Sequence, residues 1–317
     1  MNLKKTLLLA CFTIMSFLGA NESINLIWIS GSPEGSWEED WIQEMLSEVQ
    51  ADIHTIVDGN HEVFLDKSII VTSHPNKEKY QEYFSEYKKR GLKFGVIHLS
   101  DETYDHPCDF YDGVPFVIRN YWHKKFANAQ NVSFLALGYK RTFWDGFTGH
   151  IKKAEERKYN WSFAGQIKKS TRVSMIKNMR KIPHYHIHEI FDFNSPDALS
   201  ASNYRDLLLE SIFVPCPRGW WNLDSFRLSE ALECGCIPIV EKSPLDYFSK
   251  LFGCSYPFPS LTSWKELQKI IRPLLEDPER LEQLRLDCYN WWMNYKASEK
   301  KHIANLVHDN FYAKKDT

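Results

Sequence analysis

Residues 211–240 write out one complete parallel-sheet unit. Residues 211–214 form a short apolar run of strand length. A loop dense in Pro, Gly and Trp follows, then a helical stretch over 224–234, a Gly-containing turn and a second apolar run, 237–240. Two buried strands joined through a helix cannot be a hairpin and have to run parallel. A parallel sheet needs helices on both faces, which makes the class α/β. Arg218, Asp224, Ser225, Arg227 and Glu230 fall in the loop and the first helical turns, past the carboxyl end of the first strand, where open α/β sheets hold ligands. Arg227 and Glu230 are three apart and share a helix face, while Leu228, Ala231 and Leu232 are free to face the sheet. The start of that helix offers unpaired N–H groups and the positive end of a dipole to an anion.

The rest of the chain repeats this alternation. Strand-like runs at 24–29, 68–72, 92–99, 115–119 and 132–137 are separated by polar stretches, two of them helical: 37–49, with Trp41, Met45 and Val49 at i, i+4, i+8, and 77–91, with Tyr80, Tyr83, Phe84 and Tyr87 on one face. A basic stretch at 150–158 marks a boundary. The pattern restarts with strands at 159–163 and 184–190 and helices at 170–179 and 200–209, and helices over 244–251, 263–275 and 276–308 close the chain. The expected domains are therefore 24–150 and 159–317, each Rossmann-like; a single extended domain is the alternative. At 317 residues the chain is long enough for both. Residues 1–20 read as a signal peptide or signal anchor, with Lys4 and Lys5 before an apolar run from Thr6 to Ala20. That places the protein in the secretory pathway of a eukaryote or the envelope of a bacterium.

A formal net charge of −2 leaves no basic surplus to neutralise phosphates, which argues against nucleic acid as a partner. An aromatic content of 15%, with 11 Trp, suits a sugar-binding cleft and a large core equally. Six cysteines lie beyond the targeting segment, an even number that permits disulfides, but Cys234 and Cys236 read as buried thiols and no zinc spacing occurs. Asn131 and Asn160 begin glycosylation sequons at the starts of expected strands, where occupancy is doubtful.

Ser225, Arg227, Glu230-Ala231 and the turn Gly235-Cys236-Ile237-Pro238 resemble the nucleotide-sugar site of exostosin-like glycosyltransferases. Residues 163–172 and 98–102 fit as well, the latter closest to the ribitol xylosyltransferase branch. The resemblance spans roughly residues 24 to 300. It implies the GT-B arrangement, in which two Rossmann-like domains hold the ligand in the cleft between them and a C-terminal helical tail crosses back onto the first. It also implies a UDP-sugar donor, a co-substrate rather than a cofactor, and a glycan or glycoconjugate acceptor.

Transfer from such a donor needs a cradle for the departing diphosphate, a grip on the nucleotide and a base for the acceptor hydroxyl. The chain contains no D-x-D to hold a metal, so cations have to serve the diphosphate. Gly165, Lys169 and Arg172 have the fitting form, a glycine turn followed by cations entering a helix, with Arg172 also marked by the family. Arg227 and Ser225 are assigned to the diphosphate, Arg218 is a further candidate there, and Glu230 suits the ribose diol. For the base, Asp101, Glu102 and His98 at the end of a first-half strand are the candidates. His184, His186 and His188 alternate along one strand face, and with no carboxylate placed beside them they are read as a partly exposed face and not a metal site. The expected function is an inverting, metal-independent glycosyltransferase, with xylose favoured by the resemblance. The alternative is a secreted two-domain sugar-binding protein, which would not need a cationic diphosphate cradle.

Overall fold

The computed structural model describes residues 23–30, 37–57, 62–73, 77–192 and 195–313. The targeting segment lies outside them. Among the described residues no helix is long and apolar enough to cross a membrane.

Two all-parallel sheets carry the fold. The first runs β2 (Ala51–Val57), β1 (Ile24–Ser30), β3 (Ser68–Thr72), β4 (Phe94–His98), β5 (Val117–Arg119) and β6 (Val132–Phe134) in that order. The second runs β11 (Ser260–Leu261), β10 (Ile237–Glu241), β9 (Ser211–Cys216), β7 (Tyr159–Gly165) and β8 (Tyr185–Glu189). Counted from each half's own first strand, both share the order 2-1-3-4-5. The winding therefore reverses between β1 and β3 and again between β7 and β9, and at such a reversal the connections leave in opposite directions and open a crevice at the carboxyl edge. The central strands read as unbroken apolar runs because both faces are covered: β3, β4 and β9 are buried at every position. The architecture is two Rossmann-like domains in the GT-B arrangement.

The helices are α1 (Glu39–Met45), α2 (Lys77–Lys89), α3 (Arg172–Met179), α4 (Ala201–Leu209), α5 (Phe226–Glu233), α6 (Tyr247–Phe252), α7 (Leu267–Leu275) and the long α8 (Pro278–Val307). The expected helix over 37–49 is shorter, since i→i+3 turns take over at Ser47 and Val49, but Trp41 and Met45 are buried as the spacing demands. β2 has no counterpart among the expected strands. It is an edge strand with Ile53 half exposed, so its sequence lacks the apolar run of its neighbours.

α8 starts from Asp277, whose side chain accepts the N–H of Arg280, with Pro278 in the first turn. It then crosses back to the first half. Trp292 stacks on Trp41 at 5.6 Å, the Tyr295 hydroxyl oxygen accepts the N–H of Ala136 in the strand-end segment at 3.0 Å, and Lys300 bonds Glu44 at 2.9 Å. Lys296 is almost fully buried between Glu233, at 2.8 Å, and Glu44, at 3.1 Å. Beyond it the carbonyl of Phe311 accepts from Lys93, and its ring meets Phe116 in the first half. All six cysteines among the described residues are free thiols. Cys216, Cys234, Cys236 and Cys288 are buried, and Arg157 donates to the Cys236 sulfur at 3.4 Å.

Candidate active site

A cavity of about 580 Å³ opens between the carboxyl edges of the two sheets, with residues of both halves in its walls. That size is ordinary for a small-molecule site. Its second-half wall is built on the β7/β9 reversal.

β7 ends at Gly165, whose φ of +140° is a glycine conformation, and a Cβ there would press on the Arg227 Nη2 at 3.0 Å. The glycine thus lets a guanidinium lie against the strand end, where Arg227 donates to the Ala164 carbonyl at 2.8 Å. Arg172, in the first turn of α3, donates to the carbonyls of Gln166 at 3.1 Å and Arg218 at 3.5 Å. The Nε–H groups of both arginines are buried without an acceptor, and neither guanidinium forms an ion pair among the described residues. Burial, and then the neighbouring Arg227 charge, push the Arg172 pKa down to about 10. Ser225 precedes α5 in an extended conformation, makes no capping bond and keeps its hydroxyl buried and unpartnered. Lys169 stands over the Trp220 ring at 4.6 Å, and that ring is largely exposed at the mouth. Two largely dehydrated cations side by side, with spare donors and no carboxylate in ion-pair contact, are a hole shaped for an anion.

Carboxylates line the opposite part. Glu230 is buried on α5 and accepts the N–H of Lys140 at 3.3 Å; burial raises its pKa to about 7 against the lowering charge of Lys140. Asp224 accepts the N–H groups of Ser225 and, across the halves, Leu137, and burial lifts its pKa to about 7. Glu38 is fully buried behind Ser100, whose hydroxyl donates to it at 3.0 Å, and its pKa is pushed up to about 8, chiefly by burial. Glu102 reaches into the cleft from the end of β4. Its Oε1 accepts the N–H groups of Trp221 at 2.8 Å and Asn222 at 3.1 Å, and its Oε2 accepts none among the described residues.

The cavity gathers Gly165, Lys169, Arg172, Ser225, Arg227, Glu230 and Glu102. Three expected residues sit elsewhere. Arg218 turns back on its own loop and donates to the Trp221 carbonyl at 2.7 Å. Asp101 and His98 lie behind the cavity wall, each about 1% exposed. Asp101 pairs with the fully buried Arg119 at 2.9 Å and accepts the N–H of His106, while His98 is flanked by the Tyr111 hydroxyl at 2.5 Å and His106 at 3.0 Å. The reason is the turn after β4: the strand ends at His98, Ser100 has a φ of +63° and Glu102 lies in a bend, so the chain turns and carries Glu102 to the cleft while Asp101 stays against the core. His98, Asp101 and Cys108 have donor atoms close enough to hold a metal ion, as have Asp101, Asp105 and His106. The Arg119 guanidinium, 2.9 Å from Asp101 and 3.8 Å from the Cys108 sulfur, already supplies the positive charge there.

Glu38, Lys140, Tyr204 and His188 also belong to the site or its support. Glu38 comes from a first-half helix entry, 186 positions from Asp224 in sequence, and nothing local announces it. Lys140 follows the end of the first sheet's last strand, and the structure sets it beside Glu230, where burial lowers its pKa.

The profile of the RXYLT1 C-terminal domain family matches residues 140–312, more than half of the chain. No curated protein matches at a significant level. Among solved structures, Anabaena HepE with UDP and glucose superposes with a TM-score of 0.55 at 9% identity, over 90% of this chain and 100% of that one. Sucrose-phosphate synthase from Thermosynechococcus elongatus gives 0.52 at 9% identity, over 92% and 100%. A UDP-N-acetylglucosamine 2-epimerase gives 0.50 at 10% identity, over 93% and 99%. Identities this low establish a shared fold, and one fold here carries both transferases and an epimerase.

Proposed function

The chain belongs to the RXYLT1 C-terminal domain family, a glycosyltransferase family, and from that premise we propose that it moves a sugar from a UDP-sugar to a hydroxyl of a glycan or glycoconjugate, with inversion and without a metal. One observation carries this reading: the unpaired, partly dehydrated pair Arg172 and Arg227, with orphaned Nε–H groups and the free Ser225 hydroxyl beside them. A diphosphate satisfies all of these donors at once. The complexes of Anabaena HepE with UDP and with UDP-glucose support the choice of nucleotide.

The division of labour follows the cavity. Arg172, Arg227 and Lys169 neutralise the charge that grows on the leaving diphosphate as the anomeric carbon–oxygen bond breaks. Glu230 accepts from the ribose hydroxyls. The acceptor oxygen attacks the anomeric carbon from the first-half side, and its proton passes to the free Oε2 of Glu102. Glu102 is the one of the three candidate bases whose carboxylate faces the cleft. Because the bond to UDP breaks as the new one forms on the opposite face, the product is inverted. Xylose is the first donor to try on family grounds, and the compartment is an exported one, consistent with the N-terminal sequence. A sugar receptor would leave the arginine pair without a partner.

Titration with UDP and a donor panel read by UDP release tests the scheme. Arg227→Ala should weaken UDP binding by about 10- to 100-fold, the value of a charged hydrogen-bond donor. Glu102→Gln keeps an oxygen for the N–H groups of Trp221 and Asn222, so UDP affinity should hold while turnover falls roughly 10²- to 10⁴-fold. Activity abolished by EDTA and restored by manganese would overturn the metal-free mechanism, and tight binding of a free sugar with no heat from UDP would favour the receptor.

A further inference from the structure

His188 is the second of the two histidines of β8 and was not needed by the chemistry above, yet it stands in the cavity wall. Its Nε2 lies 2.6 Å from the carbonyl oxygen of Asp197. A carbonyl can only accept, so Nε2 carries the proton, and in the neutral ring Nδ1 is then left as an acceptor. The backbone locates this acceptor relative to the anion hole. β8 pairs with β7 so that His188 lies opposite Ala164, and the Ala164 carbonyl is the group that Arg227 holds. One strand spacing, about 4.8 Å, therefore separates the strand that seats the diphosphate cations from the strand that carries His188. Between and beyond them the wall is made of small and apolar groups, Ala198, Leu199 and Ala201, with the Tyr204 ring, whose hydroxyl is buried without a partner.

We infer that this end of the cavity is the nucleobase subsite and that His188 selects uracil, its Nδ1 accepting the N3–H of the base. The inference rests on the reading of the cavity as a nucleoside diphosphate site and adds a residue that chooses among nucleotides. Uracil presents a donor at N3 flanked by two acceptors. Cytosine presents a lone pair at N3, which would meet the lone pair of Nδ1. The Asp197 carbonyl holds the tautomer, so it acts as a positioning group for the ring.

Calorimetric titration of the full chain with UDP, CDP and inorganic pyrophosphate, on the wild type and on His188→Phe, tests this. The wild type should bind UDP about tenfold more tightly than CDP, the value of one hydrogen bond exchanged for a repulsion. His188→Phe should bring UDP down to the CDP level and leave pyrophosphate affinity within about twofold, since the cations are untouched. A second comparison needs no substitution: UDP methylated at N3 should bind the wild type about tenfold more weakly than UDP. Equal binding of UDP and CDP by the wild type, equal binding of UDP and its N3-methyl form, or a preference that survives in His188→Phe overturns the inference alone. Binding of neither UDP nor pyrophosphate overturns the donor-site reading and this inference with it.

Discussion

Asp101 and Glu102 are adjacent carboxylates with opposite fates. Glu102 meets the cleft, whereas Asp101 is sealed against Arg119, with both side chains at or below 1% exposure. A buried pair of this kind is costly to break, because removing one charge strands the other. Asp101→Asn should therefore lower stability by about 3–5 kcal/mol, measured by denaturant titration, while the UDP affinity and turnover of the folded fraction change little. A fall in turnover of several hundred-fold at unchanged stability would instead put Asp101 in the chemistry. The residue scale is where sequence reasoning was weakest here. The spacing of His98, Asp101 and Glu102 put all three at one strand end, but it could not tell which side chain the turn after β4 carries to the cleft and which it leaves against the core.

At the scale of elements, the second half was the more legible. β7, β9, α5 and β10 follow from apolar runs and a Gly turn within 85 residues, and the glycine at 165 sits where a guanidinium has to approach the strand. The first half was legible as strands 68–72 and 24–29 but not at β2, an edge strand that mixes Asp52, His54 and Thr55 among its apolar residues, nor at Glu38, which matters only through contacts made by distant elements. α8 shows the same limit. Its helical spacing was plain, but not that Lys296 would be buried between Glu233 and Glu44, the charge that joins α5, α1 and α8. Lys296→Ala leaves the buried Glu233 carboxylate, already raised in pKa by burial, without its cation and facing the partly buried Glu44, which keeps Lys300. It should cost about 3–5 kcal/mol in a denaturant titration, and Lys296→Arg should recover most of that.

For the whole molecule, the carboxylates of the cleft tie stability to pH. Glu38, Asp224 and Glu230 have folded pKa values of about 8, 7 and 7, all above their unfolded values near 4. Raised folded values mean that the native state holds protons the unfolded chain has lost, so the stability they give is full below the unfolded pKa and disappears as pH rises through 7 to 8. Histidines lowered by burial, His123, His186 and His302, act in the opposite sense, but only as pH falls toward and below their ordinary range. Between about pH 6.5 and 8.5 the carboxylates should dominate, and the thermal midpoint of the ligand-free protein should fall across that window. Glu38→Gln, which keeps an acceptor for Ser100 without the charge, should flatten the slope.

The return of α8 to the first half also sets an order of events in time. Tyr295 meets a strand-end segment 159 positions earlier, Phe311 a lysine 218 earlier and Tyr312 a carbonyl 289 earlier. During synthesis the first half emerges long before these partners exist. Trp41 lacks its stacking partner Trp292 until α8 has been made, and closing such long loops is slow. The first half should thus keep an apolar face open until α8 has been made, and the two halves should reach their native packing together.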